Sequence, residues 1–237
     1  MIGNVVLLLI SWGLLYLFER KNLFALGFTP ITLRLKEFLL GFALIAILLL
    51  IGIGLETWVF SIKWEAVKDF DFAHILKGLY YYFNSALFED LIFRGAILYI
   101  LWKKLGATKA IWISALLFGV YHWFSFGIFG SGIVPMLYVL AITGFMGWAW
   151  AYTFIKTESI VAGLAMHISW NFSRSLFYEN SPYGNMLYAM TEVDSVKAEY
   201  YSIYSLIQQL IIPLLIILAV HFYSKIKSGL PKSQHES

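Results

Sequence analysis

Long apolar runs recur along this chain and constrain its fold more than any other feature of the sequence. A helix needs about 20 mostly apolar residues to cross the hydrocarbon core of a bilayer, and lipid offers no partner to an open backbone group. Seven such runs are present, at 2–18, 38–60, 79–101, 109–126, 133–155, 159–178 and 203–223. We therefore predict an all-α, polytopic transmembrane helix bundle of about seven to eight spans.

The composition supports this class and excludes others. Hydrophobic residues make up 60% of the chain and charged residues only 13%, about half the charged fraction of a soluble domain. A net charge of +3 without a basic run argues against a nucleic-acid partner, and the absence of cysteine excludes disulfides and a thiol nucleophile. We interpret residues 1–237 as one membrane domain with a motif core at 79–178 and a disordered tail at 228–237.

The distribution of Lys and Arg predicts the orientation of the bundle. With seven spans and the N-terminus outside, the inner segments carry eleven of these residues and the outer segments carry five. Positive residues favour the cytoplasmic side, so we expect the N-terminus outside and the C-terminus in the cytoplasm. An eighth, half-buried segment would reverse part of this orientation. The Cys-free chain without organelle signals suggests a prokaryotic cytoplasmic (inner) membrane.

Two segments connect the predicted spans and differ in character. Lys63–Gly78 alternates apolar and charged residues, which fits an interfacial amphipathic helix or a solvated loop. Glu179–Glu199 is polar and acidic and contains Pro182 and Gly184, so it is predicted to be an exposed connection.

Three ionisable side chains lie inside the third predicted span, where each costs a few kcal/mol and needs a partner or a function. Asp90 and Arg94 are four residues apart and share a helix face, which predicts an ion pair. Glu89 points away from Arg94 and lacks a counter-ion on its own helix, so it is a candidate for taking a proton from water. Alternatively, all three charges form a structural network between helices.

Two histidines and an amide in other spans extend this set. His122 lies near the end of the fourth span, where an interfacial role is the alternative to catalysis, and Gly119 one turn earlier permits close helix approach. His167 and Asn171 share a face of the sixth span. Both can donate hydrogen bonds to a developing oxyanion, although such a pair also suits a polar contact between helices.

These residues predict hydrolysis of a peptide bond inside the membrane. Glu89, helped by His122, would take a proton from the attacking water, while His167 and Asn171 would stabilise the oxyanion. This mechanism needs no cofactor. In the metal-dependent alternative, Glu89, His122 and His167 bind a divalent ion such as zinc with one position open to water.

Three motifs in this order resemble those of the CPBP family, which comprises the type II CaaX prenyl endopeptidases and bacterial (Abi) relatives tied to bacteriocin processing. The motifs are Glu89-Asp90-x-x-x-Arg94, Phe118-x-x-x-His122 and His167-x-x-x-Asn171. The resemblance implies an intramembrane endopeptidase with a conical cavity, in which Glu89 and His122 activate water and His167 and Asn171 form the oxyanion site. Such enzymes have been described as metalloproteases and as glutamic peptidases. Family members usually carry Glu-Glu where this chain has Glu89-Asp90.

The expected partners are a membrane-associated peptide or protein substrate and the lipid bilayer. Two other functions fit the same residues. One is a catalytically silent scaffold or regulator of the same family, and the other is a transporter that uses the buried charges as a proton pathway. The absence of repeated halves and of a broken pair of spans argues against the transporter.

Overall fold

A computed structural model describes residues 2–68, 70–180, 182–193 and 198–229. Two short strands, β1 (Lys63–Ala66) and β2 (Tyr188–Glu192), pair antiparallel. The described residues otherwise form short 3-10 turns and eight α-helices, which are α1 (Ile2–Glu19), α2 (Ile31–Phe60), α3 (Phe72–Phe93), α4 (Ala96–Leu105), α5 (Ala107–Ser125), α6 (Ile133–Thr157), α7 (Ile160–Ser175) and α8 (Tyr201–Gly229). The predicted helical class is confirmed, with one small sheet added to it.

Apolar surface covers the outside of the helices. Four of them, α1, α2, α6 and α8, are long and apolar enough to cross a membrane. Large side chains such as Trp58 on α2 and Val134 on α6 are more than 70% exposed. Contiguous apolar surface of this extent is rare on soluble monomers and is stable when lipid covers it. The protein is therefore an integral membrane protein, and the number of seven to eight spans stays a prediction.

The sequence predicts a single helix for the third span, at 79–101. This prediction is wrong, because the helix breaks inside the span. The chain turns at Gly95, between the end of α3 and the start of α4. A Cβ added to Gly95 would lie 2.3 Å from the carbonyl oxygen of Leu91, so the turn has no room for a side chain. The Ser114 hydroxyl on α5 donates a 2.8 Å hydrogen bond to the Phe93 carbonyl, which satisfies a backbone acceptor that the break leaves open.

We expect Gly95→Ala to destabilise the protein by about 1–3 kcal/mol, because the new methyl group overlaps backbone rather than a movable side chain. Gly54→Ala in α2 is the matched control, since nothing lies within 4 Å of its added Cβ and alanine favours a helix. Unfolding of both variants in detergent, followed by circular dichroism, measures the difference. Equal stability of the two variants would contradict this account of the helix break.

The connecting segments also differ from prediction. Lys63–Gly78 is neither a single amphipathic helix nor a loop, because it contains β1 and the first turns of α3. Glu179–Glu199 contributes β2, which pairs with β1, so it is more than an exposed connection. The predicted disordered tail is wrong at its first two residues, since α8 extends to Gly229. Its remainder, 230–237, lies outside the described residues.

Close packing of α5 against α6 holds the centre of the bundle. A Cβ added to Gly119 would lie 2.6 Å from Leu140 Cδ1 and 3.3 Å from Gly144 Cα, so the glycine permits the close approach that the sequence predicts. Phe118 and Trp150 pack in the buried cluster beside this contact. These two rings form a wall of the site described next.

Candidate active site

Three polar side chains from the end of α3 and from α7 meet in a buried cluster. Arg94 donates a hydrogen bond from Nη2 to Asp90 Oδ1, and the same oxygen lies 3.0 Å from His167 Nδ1. All three side chains are at most 3% exposed. The ion pair has the partners that the spacing predicts, and Asp90 also joins α3 to α7.

Aromatic rings surround the guanidinium of Arg94. Its Cζ lies 4.1 Å from the ring centroid of Phe118 and 5.2 Å from that of Trp150. Among the described residues, Nε and Nη1 of Arg94 have no hydrogen-bond partner. Desolvated cation–π contacts contribute about 2 kcal/mol, which offsets part of the cost of the buried charge. The Trp150 ring also stacks on His167 at 4.1 Å between centroids.

Glu89 faces the open side of this cluster. Its side chain is 12% exposed, against 1% for Asp90. Glu89 Oε2 lies 3.6 Å from His167 Nε2. His167 therefore faces Asp90 with one ring nitrogen and Glu89 with the other, and Glu89 has an interhelical partner although it lacks one on α3.

His122 projects from α5 and lines the same cavity as Glu89. Its Nδ1 lies 2.8 Å from the Phe118 carbonyl oxygen. Because a carbonyl oxygen only accepts hydrogen bonds, Nδ1 carries a proton, and Nε2 of the neutral ring is an acceptor. Phe118 and Phe126 pack against the ring at 4.4 and 4.9 Å between centroids. His122 is thus a buried acceptor rather than an exposed interfacial residue.

A cavity of about 380 Å³ brings the predicted catalytic residues together. Glu89, His122, His167 and Asn171 all line it. Within the described part of the chain, the Asn171 side chain makes no hydrogen bond, so its amide is available to a bound molecule. Asp90 and Arg94 stand behind His167 rather than on the cavity wall. The conical shape of the cavity stays a prediction.

The predicted metal ligands do not form a ready binding site. In the residues that the structure describes, no three His, Asp or Glu side chains are grouped so that they could share a metal ion. Nδ1 of His122 and Nδ1 of His167 both face protein oxygens. This leaves Nε2 of each ring as the atom that could bind a metal, and the metal-dependent alternative with Glu89, His122 and His167 stays a prediction.

Two buried carboxylates in α2 were missed by the sequence analysis. Glu56 is 3% exposed and accepts hydrogen bonds from the hydroxyls of Tyr178 and Tyr201. Glu37 is equally buried and pairs with Arg34 at 2.6 Å. Glu56 stands inside a predicted span, so the rule that flags intramembrane charges would have identified it.

A comparison with protein families finds a match over part of the chain. Residues 71–173 match the family model described as type II CAAX prenyl endopeptidase Rce1-like. The matched region covers fewer than half of the 237 residues, includes all three motifs and contains every residue of the predicted catalytic set. No curated protein matches the chain, and no solved structure matches it.

Proposed function

Since residues 71–173 belong to the Rce1-like type II CAAX prenyl endopeptidase family, we propose that this protein is an intramembrane endopeptidase that hydrolyses a peptide bond in a membrane-associated substrate. The family is a protease family, and its match confirms the resemblance to the CPBP proteins. The observation that carries the proposal is the shared cavity of Glu89, His122, His167 and Asn171. Their side chains come from three helices that are distant in sequence.

Glu89 and His122 activate the attacking water in this mechanism. The Glu89 carboxylate takes one proton from the water. Nε2 of His122 accepts a hydrogen bond from the O–H that remains on the attacking oxygen. The water oxygen then forms a bond to the peptide carbonyl carbon, and the π electrons of the carbonyl move to its oxygen. Positioned acid–base groups of this kind contribute about 10²–10⁴-fold to a rate.

His167 and Asn171 stabilise the resulting oxyanion. The Asn171 amide donates one hydrogen bond, and Nε2 of His167 donates the second when it carries a proton. Because Asp90 faces Nδ1 of His167 at 3.0 Å, a His167 that donates from both nitrogens is an imidazolium. Asp90 Oδ1 and Glu89 Oε2 lie on the two sides of this ring, next to Nδ1 and Nε2.

The last step transfers the proton from Glu89 to the leaving nitrogen. The carbon–nitrogen bond then breaks, the carbonyl reforms, and an acid and an amine are released. Glu89 returns to its carboxylate form, so the cycle needs no added reactant besides water. Arg94 holds Asp90 in place through their ion pair but does not touch the substrate in this scheme.

The protein carries out this reaction in a prokaryotic inner membrane in our proposal. We place the N-terminus outside and the C-terminus in the cytoplasm, which the excess of Lys and Arg in the predicted inner segments supports. The substrate is a membrane-associated peptide or protein, prenylated if this chain keeps the substrate class named in the family description.

Newly formed protein termini in the host provide the first test. We expect cells with the wild-type protein to contain termini in membrane and secreted fractions that are absent from cells with Glu89→Ala, with equal protein levels verified by Western blotting. The lost termini would identify the cleaved sequence. Repeating the comparison in isolated membranes with a zinc chelator tests the metal-dependent alternative, which requires that the chelator abolish the same termini.

Other outcomes distinguish the competing functions. Identical termini with both proteins, at equal expression, would contradict the endopeptidase and favour a scaffold or regulator. A proton or solute flux in proteoliposomes that disappears with Glu89→Ala would favour the transporter.

A further inference from the structure

We propose that Arg174 is a specificity residue that binds a carboxylate group of the substrate inside the cavity, a role that rests on the proposed peptidase function. Arg174 is the last basic residue of α7 and lines the same cavity as His167 and Asn171. No motif of the sequence analysis includes it.

Two aromatic faces hold the guanidinium of Arg174. Its Cζ lies 4.7 Å from the ring centroid of Tyr178 and 5.4 Å from that of Trp170. The Tyr178 hydroxyl in turn donates a hydrogen bond to the buried carboxylate of Glu56. This hydrogen bond to α2 fixes the position of the Tyr178 ring, on which Arg174 stacks. A stacked guanidinium keeps its N–H groups free to bind a ligand in its own plane.

Arg174 has no carboxylate partner in the described part of the chain. Two other arginines differ from it, since Arg34 pairs with Glu37 and Arg94 pairs with Asp90. Glu179 lines the same cavity but forms no ion pair with Arg174. A positioned, unpaired guanidinium that faces a substrate cavity is suited to bind a carboxylate in bidentate geometry.

Helix geometry sets the distance between this guanidinium and the reaction centre. His167, Asn171 and Arg174 occupy positions i, i+4 and i+7 on one face of α7. Seven residues span about 10 Å along a helix, which equals about three residues of extended peptide. For an extended substrate that runs along α7, the carboxylate therefore lies about three residues from the scissile bond, and either a free C-terminus or an Asp or Glu side chain supplies it.

Matched peptides test this assignment on the full-length protein in nanodiscs. The probe is an S-farnesylated cysteine followed by three apolar residues, prepared as a free acid, as a C-terminal amide, and as an amide with Asp in the last position. Binding of each dye-labelled peptide is measured by fluorescence anisotropy in the Glu89→Gln background, where hydrolysis is blocked. Cleavage of each peptide is measured separately with an otherwise wild-type chain.

We expect the free acid to bind about 10- to 100-fold more tightly than the amide, the range for a hydrogen-bonded charge, and Arg174→Gln to remove this difference. In cleavage the same substitution raises KM for the acid and leaves kcat within about twofold, because Arg174 does not touch the reacting atoms. Arg174→Lys keeps part of the preference. If the Asp-containing amide binds as tightly as the acid, an acidic side chain is also accepted as the source of the carboxylate.

Arg20→Gln is the matched control, because Arg20 also lies over a tyrosine ring, is exposed and does not line this cavity. Unfolding temperatures verify that the Arg174 variants are folded. Equal binding of acid and amide to the Arg174-containing protein, no binding of the acid, or a preference that survives Arg174→Gln would overturn the assignment. Acid-selective binding without cleavage would retain Arg174 as a carboxylate site and count against the peptidase function. Cleavage without a preference for the acid would support the peptidase function and overturn the role of Arg174.

Discussion

Replacing Glu89 with Gln lowers the rate of substrate cleavage by about 10³-fold, within the range that general acid–base groups contribute. The amide keeps the size of the side chain but cannot take a proton from water. Glu89 is 12% exposed on the cavity wall, so the substitution leaves no buried charge unpaired and we expect the fold to persist. The measurement is single-turnover cleavage in proteoliposomes of the sequence identified from the host termini.

Glu65→Gln is the matched control for this prediction. Glu65 lies on β1, is exposed and does not line the cavity, so the same chemical change there should leave the rate within about twofold, as for surface substitutions away from special features. A Glu89→Gln protein that retains more than a tenth of the wild-type rate would remove Glu89 from the role of general base. Water activation would then have to start from His122.

Apolar periodicity was enough to predict most helices but could not predict the break at Gly95. Apolar residues continue on both sides of this turn, so the run at 79–101 is interpreted as one span even though it contains Glu89, Asp90 and Arg94. The break depends on tertiary contacts, namely the hydrogen bond from Ser114 to the Phe93 carbonyl and the close approach to Leu91. The pairing of β1 with β2 has the same cause, because each strand has only four or five residues and is stabilised by a distant partner.

The site was predicted to the extent that its contacts lie within one helix. The pair of Asp90 and Arg94 follows from a spacing of four residues. The contacts of His167 with Asp90 and Glu89 cross between helices, and no spacing in a single sequence encodes them. The stacking of Trp150 on His167 likewise joins two helices, so the sequence gives no sign of it.

Replacing Asp90 with Asn should unfold the protein more readily than any other single change to the cluster. The substitution leaves the charge of Arg94 buried, and Arg94 then has no carboxylate partner among the described residues. Breaking a buried pair in this way costs about 3–5 kcal/mol. Unfolding in detergent, followed by tryptophan fluorescence, measures the loss, and Asp90→Glu, which keeps the charge, should retain most of the stability.

The double variant Asp90→Asn with Arg94→Met separates structure from catalysis. Removing both charges eliminates the unpaired guanidinium, and a neutral replacement of a buried pair is often close to neutral in stability. We therefore expect the double variant to be more stable than Asp90→Asn alone, which gives a large coupling energy in a double-mutant cycle. Cleavage should stay low in the double variant, because His167 has lost the carboxylate that faces Nδ1 and orients the ring. A double variant that regains both stability and cleavage would limit Asp90 and Arg94 to a structural role.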